Sequence, residues 1–268
     1  MTFGHKRIRR TLLAVGLGFA LASSAGIGLT GCAGHQATLY QLNADQLLER
    51  GLAAYDAHKW SKAIEYLSRL AVVAPTHPRI AEARFKLGQA HYEKHEYITA
   101  ASEFSRLANE MSQDSMADDA WFGVCRSYNA LSPNPQLDQT YTNDAIQNCQ
   151  TLIQIFPNSP YADSAKKIVR TMTDKLASKV YEGGDWYYRR KALDSAIIYF
   201  EAVVNKYPDT PAAPKSLLRL YQIYQRLSYK EEMTSTRDQL FKDYPDSDAA
   251  KQLRAMGVVA DTTGTGTG

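Results

Sequence analysis

Four proline-centred stops recur along this chain, and they constrain its fold more than any other feature. They read Ala74-Pro75-Thr76-His77-Pro78, Phe156-Pro157-Asn158-Ser159-Pro160, Tyr207-Pro208-Asp209-Thr210-Pro211 and Tyr244-Pro245-Asp246-Ser247-Asp248. Each has an apolar residue, then a proline that cannot continue the preceding helix, then a turn residue and a new helix start. Asn158, Asp209 and Asp246, each with the Ser or Thr that follows it, are placed to cap the next helix by accepting its free N–H groups. Pro78, Pro160 and Pro211 suit the first turn, where no N–H partner is needed. A further stop with its proline replaced is expected near Ser112. Val/Ile alternation is scarce and Ala, Leu and Tyr are plentiful, which predicts an all-α chain.

The segments between stops read as helix pairs. Gly51, Ala63 and Pro75 are spaced 12 and 12, Gly88 and Ala100 are spaced 12, and Gly184, Ala196 and Pro208 are again spaced 12 and 12. This pattern resembles the tetratricopeptide repeat, whose unit is about 34 residues. The small residues let the two backbones approach. Trp60, Leu67 and Leu70, then Leu87, Tyr97, Phe104 and Leu107, then Tyr188, Phe200 and Val203 fill the space on either side. One pair cannot bury its apolar face alone, so the pairs must stack.

The prediction is a tetratricopeptide-repeat superhelix of about five helix pairs over 43–256. It ends in a short capping helix, Ala249–Met256, and a disordered Thr/Gly tail over 257–268. The third pair has a long link, Leu131–Gln139, carrying Pro133 and Pro135. The fourth has a long first helix, from about Tyr161 to Arg190, interrupted at Gly183-Gly184. The fifth has Met233 where a small residue is expected.

First helices are expected to line a concave groove. The pattern places Leu48, Leu52 and Tyr55 there, then Phe85, Gln89 and Tyr92, then Phe122, Arg126 and Asn129. A peptide in this groove would lie against Tyr55 and Tyr92; the alternative is that both rings pack on the neighbouring pair.

The N-terminus carries a different signal. Lys6, Arg7, Arg9 and Arg10 precede an uncharged apolar run, Leu12–Ala22, which is too short to span as a stable transmembrane helix and is followed by small residues. Leu29-Thr30-Gly31-Cys32 then resembles the bacterial lipobox. That resemblance implies a signal peptide over 1–31, cleavage before Cys32, a diacylglycerol and an N-acyl lipid on Cys32, and a lipidated tether over 32–42. Position 33 is Ala, not the Asp of the inner-membrane retention signal, which implies the outer membrane. Two or more acyl chains anchor a soluble domain stably.

Of the 31 basic residues, four precede Cys32, and none of the 28 acidic ones does, so residues 32–268 carry net −1. No basic stripe remains to suggest nucleic acid. No Ser/His/Asp set, phosphate loop or zinc cysteine pair occurs, and no enzyme is expected. His91 and His95 have a ligand-like spacing, but packing and turn roles account for them, and no metal site is predicted. Gly183-Gly184 follows no strand and is not a nucleotide loop. Asp118-Asp119 reads as a solvated helix start. Cys125 and Cys149 face each other across the third pair, either as a disulfide or as two buried thiols.

A lipobox followed by five repeats resembles the BamD family of the complex that inserts β-barrel proteins into the bacterial outer membrane. The similarity is strongest where Asp174-Lys175-Leu176-Ala177 leads into Tyr187-Tyr188, and over Val203-Val204-Asn205-Lys206-Tyr207-Pro208-Asp209-Thr210-Pro211. The Thr/Gly tail and the long link after Leu131 depart from it. The resemblance implies a lipid-anchored protein on the periplasmic face of the outer membrane. Repeats 160–256 would dock on a BamA-like insertase beside other lipoproteins of the complex. A groove over 43–130 would take unfolded outer-membrane protein segments. Tyr55, Phe85, Tyr92, Phe122, Arg126 and Asn129 would line that groove, with Arg126 pairing with a terminal carboxylate. The other reading of the same fold is an envelope lipoprotein that organises peptidoglycan or division proteins; the coiled coil that often accompanies those relatives is not visible here.

Overall fold

The computed structural model describes residues 39–259. The expected signal peptide, Cys32, the expected tether up to residue 38 and the residues beyond Val259 lie outside the described residues. The described part is helical: α1 Ala44–Asp56, α2 Trp60–Val73, α3 Ile80–Glu93, α4 Tyr97–Glu110, α5 Ala117–Leu131, α6 Thr140–Ile155, α7 Ala162–Arg189, α8 Leu193–Lys206, α9 Ala212–Leu227, α10 Lys230–Asp243 and α11 Asp248–Ala255. Consecutive helices pack as five antiparallel-type pairs, α1/α2 to α9/α10, with α11 against α9. First helices also meet the first helices of the next pair, whereas second helices make no comparable contact. That asymmetry curves the stack and puts first helices on the inner side. This is the tetratricopeptide architecture.

The junctions explain the prolines. At each, the chain makes a turn closed by a bond from the fourth residue to the first: His77 N–H to Ala74, Asp114 to Met111, Ser159 to Phe156, Thr210 to Tyr207 and Ser247 to Tyr244. In the first four a second turn follows directly, with Ile80, Ala117, Ala162 and Ala213 donating to His77, Asp114, Ser159 and Thr210. Pro75, Pro78, Pro157, Pro160, Pro208, Pro211 and Pro245 all sit second in such a turn, where a fixed φ helps and no N–H is used. At the proline-free junction Ser112 and Ser115 take those places.

Of the expected caps, Ser247 after Asp246 serves, whereas Asn158 with Ser159 and Asp209 with Thr210 do not. The helices after the first four junctions have no side-chain cap, because the second turn already supplies an acceptor to the incoming N–H. True caps are Asn43, in a reciprocal box with Gln46, and Ser247, which accepts from Ala250.

Within pairs 1, 2, 4 and 5 the helices turn through His58, His95, Lys191 and Ser228, all left-handed at φ 55, 61, 63 and 60°. Each is followed by a bond back across the turn, as from Lys59 to Ala54 or Ala192 to Tyr187, the Schellman ending that usually takes glycine.

Glycine instead serves close approach. A Cβ on Gly51 would meet Leu67 at 2.5 Å, one on Gly88 would meet Phe104 at 2.8 Å, and one on Gly184 would meet Phe200 at 2.8 Å. Each hollow therefore takes the large residue sixteen positions on, while the alanine twelve positions on is buried beside it. Gly183-Gly184 does not interrupt the fourth first helix, which runs unbroken for 28 residues. The pair of glycines admits Tyr199 and Phe200 from α8 instead.

The long third link is tied down. The Gln139 amide donates to the carbonyls of Asn134 at 2.9 Å, Leu137 at 3.0 Å and Pro135 at 3.3 Å. Lys175 on α7 donates to Ser132 Oγ at 2.7 Å and to the Pro133 carbonyl at 3.1 Å, and Lys179 to the Leu137 carbonyl at 2.7 Å. Burial pulls the Lys175 ammonium below its usual range.

Candidate functional site: the first-helix face

The inner face is built by a repeated position. Tyr55, Tyr92 and Tyr188 each lie four residues after a close-packed glycine, one turn further along their first helices. Each carries a cation from the next pair on its ring. Lys86 Nζ is 4.4 Å from the Tyr55 centroid, the Arg126 guanidinium 4.2 Å from Tyr92, and Arg219 4.7 Å from Tyr188. Such contacts contribute on the order of 1 kcal/mol each and orient the cation across the joint between pairs. Burial raises the hydroxyl pKa values of Tyr55 and Tyr92, with Glu93 adding to the rise and Arg126 opposing it.

The six residues expected in the groove occupy three kinds of place. Tyr55, Tyr92 and Arg126 are half-buried on the first-helix face and form the cation-bearing strip. Tyr55 also meets Trp60 edge-on at 5.2 Å, and Tyr92 meets Tyr97 at 5.1 Å. Phe85 and Phe122 are also half-buried and are engaged in ring contacts. Phe85 leans on Phe104 at 5.6 Å and joins two core clusters. Phe122 stacks on Tyr161 at 4.6 Å, 9° from parallel. Phe85 thus packs within pair two and against α5, and Phe122 packs on the residue that leads into α7. Asn129 lies half-buried at the place in α5 that Tyr92 holds in α3. Two buried groove atoms have no hydrogen-bond partner, Arg126 Nε and Gln89 Oε1.

Asp118 and Asp119 are not a solvated helix start. Ser159 Oγ donates to Asp118 at 2.7 Å, and the Tyr161 hydroxyl donates to Asp119 at 2.5 Å. The bond to Asp119, with burial, pushes the Tyr161 pKa up to about 12. These bonds fasten pair three to pair four. The histidines are held separately. His91 Nδ1 lies 2.6 Å from Glu96, while His95 forms the left-handed turn with its Nδ1 2.6 Å from the Tyr97 hydroxyl. No cluster of three or more metal-ligating side chains occurs among the described residues. Cys125 and Cys149 are joined as a disulfide.

Lys86 and Tyr161 also join successive pairs here, and no local pattern in the sequence marks them. The 37-residue interval from Tyr55 to Tyr92 was a usable signal, but a cation arriving from the next pair has no signature in local sequence.

Towards the end of α7, Trp186 and Tyr187 form a ring series with Tyr199 of α8, with centroids 4.8 and 5.3 Å apart. Arg190 covers Trp186 at 3.6 Å, and Trp186, Ile198 and Tyr199 are exposed. A concavity of about 570 Å³ lies between this series and Gln136 of the third link.

A stack of helix pairs with a polar and aromatic inner face defines a tetratricopeptide-repeat binding scaffold. The chain belongs to the YfiO family of outer membrane lipoproteins, whose sequence model matches residues 40–240. It is similar to the outer membrane protein assembly factor BamD of Caulobacter vibrioides, at 25% identity over 82% of this chain and 72% of the relative. It is also similar to the BamD of Vibrio cholerae, at 26% identity over 78% and 91%. A solved TPR repeats protein from Bacteroides fragilis superposes with a TM-score of 0.46 at 12% identity, over 80% of this chain and 99% of that one.

Proposed function

We propose that this chain is an assembly factor for outer-membrane β-barrel proteins. It is held on the periplasmic face of the outer membrane by lipid on Cys32, and it works by binding, not by catalysis. Its first-helix face over 43–130 takes an extended segment of an unfolded barrel protein. Its pairs over 160–256 dock on a BamA-like insertase beside other lipoproteins of the complex. The observation that carries this reading is the family match across residues 40–240, which spans pairs one to four and reaches into α10. The names of the relatives, outer membrane protein assembly factor BamD, supply the process.

The geometry supports the division of labour. The Arg126 guanidinium, stacked on the Tyr92 ring, has the charge and planar fork that suit a carboxylate. Segment binding must offset the ordering entropy of an extended strand, which aromatic contact and paired polar groups supply. The exposed Trp186–Tyr199 series suits a folded partner. Depletion tests the process: folded barrel proteins should fall in the outer membrane, and unchanged levels would refute the assignment. Crosslinking of a barrel-derived C-terminal peptide should weaken in Tyr92→Ala.

A further inference from the structure

The third pair differs from its neighbours at one register position. In pairs one, two and four, a glycine of the first helix lies beneath a large side chain of its own second helix. Ile80 and Ala117 close equivalent junction turns, so Cys125 holds the place of Gly88. Leu107 and Leu152 accept equivalent closing bonds from Met111 and Phe156, so Cys149 holds the place of Phe104. Pair three therefore has neither hollow nor large side chain there. It has a disulfide, with Cα atoms 4.8 Å apart and both cysteines fully buried. Its helices are also joined by the long link and not by the tight left-handed turn of the other four pairs.

The same pair couples the two halves of the array. Phe104 of pair two lies on Gly123 of α5. Phe122, Asp118 and Asp119 hold Tyr161 and Ser159 of pair four. Arg126, which reaches back onto Tyr92, is the residue after Cys125.

We propose that the Cys125–Cys149 bond holds pair three in register, so that a continuous array and the Arg126–Tyr92 stack form only after a thiol–disulfide oxidoreductase has acted on the chain. One cysteine thiolate attacks the oxidant's disulfide, giving a mixed disulfide and releasing one oxidant thiol. The second cysteine thiolate then attacks the mixed bond and releases the other. Two electrons pass to the oxidant, and the two protons lost by the cysteines end on its thiols. Because both sulfurs are buried in the finished fold, the exchange precedes closure of α5 on α6, and reductants do not reach the bond afterwards. None of this depends on what the groove binds.

The full chain is unfolded, reduced and returned to native buffer with or without oxidised glutathione. With the oxidant, unfolding is one transition and α5 and α6 amides exchange slowly. Without it, those amides exchange roughly 100-fold faster and unfolding separates into two transitions. Cys125→Ser/Cys149→Ser behaves as the reduced chain in either buffer. Cys125→Gly/Cys149→Leu rebuilds the Gly51–Leu67 contact and restores slow exchange with no oxidant. If the Ser/Ser chain fails to fold while the Gly/Leu chain folds, the proposal stands. Equal exchange in reduced and oxidised chains overturns it, and so does a Gly/Leu chain as loose as the Ser/Ser chain.

Discussion

Phe104 shows how much a single side chain carries here. Its ring fills the hollow at Gly88 on one side and lies on Gly123 on the other, so it cannot move away from either. A Cβ on Gly123 would meet the ring root at 2.5 Å. Gly123→Ala should lower stability by about 2–3 kcal/mol in denaturant titration, through overpacking. Gly183→Ala offers the contrast, because its Cβ meets the half-exposed Tyr199, which can swing outwards. There the gain in helix propensity offsets the contact, and the change should be within about 1 kcal/mol. Tyr161 makes a pH-dependent contribution. Its hydroxyl loses its proton near 10 in the unfolded chain and about 12 in the folded one, where it donates to Asp119. Its stabilisation is complete below pH 10 and is lost as pH rises from 10 to 12. Alkaline unfolding of Tyr161→Phe should show a shallower fall over that window than the parent chain.

At the scale of helices and turns, sequence spacing read the elements well and the turn chemistry less well. Prolines located the junctions, and the glycine–alanine interval located the paired helices, because both reflect geometry that only those residues tolerate. The capping expectation held at Ser247 but not at the stops around Asn158 and Asp209, because capping and turn residues are the same types and a second hydrogen-bonded turn had already satisfied those helix starts. Gly183-Gly184 misled because glycine breaks isolated helices, yet here it admits Tyr199 and Phe200. The four left-handed turn residues leave room for improvement. Lys191 and Ser228 hold φ near 60°, a conformation that disfavours side chains. Lys191→Gly and Ser228→Gly should each stabilise the chain by about 0.5–1 kcal/mol, read as a raised denaturation midpoint with unchanged slope.

Across the whole molecule, contacts between pairs run along the same face that is proposed to bind. The cations that bridge successive first helices lie on the face proposed to take the partner segment. The first-helix face was legible in part. Helical periodicity put Tyr55, Tyr92 and Arg126 on the first helices, where they lie half-buried, but local sequence could not foresee that Phe85 would lean on Phe104 and Phe122 on Tyr161, since those contacts depend on tertiary packing. Arg126→Lys should discriminate the roles. Lysine keeps the charge but loses the planar stack and the fork, so peptide binding should fall while the denaturation midpoint shifts by less than about 1 kcal/mol.

The most direct measurement is the affinity of the full chain for an extended C-terminal peptide of a barrel protein, in the parent chain and in Tyr92→Ala and Arg126→Ala. The groove account gives saturable binding that weakens at least roughly tenfold in each variant, about 1.4 kcal/mol, while both variants retain helical content. Binding unaltered by both substitutions, or none in the parent chain, would contradict it.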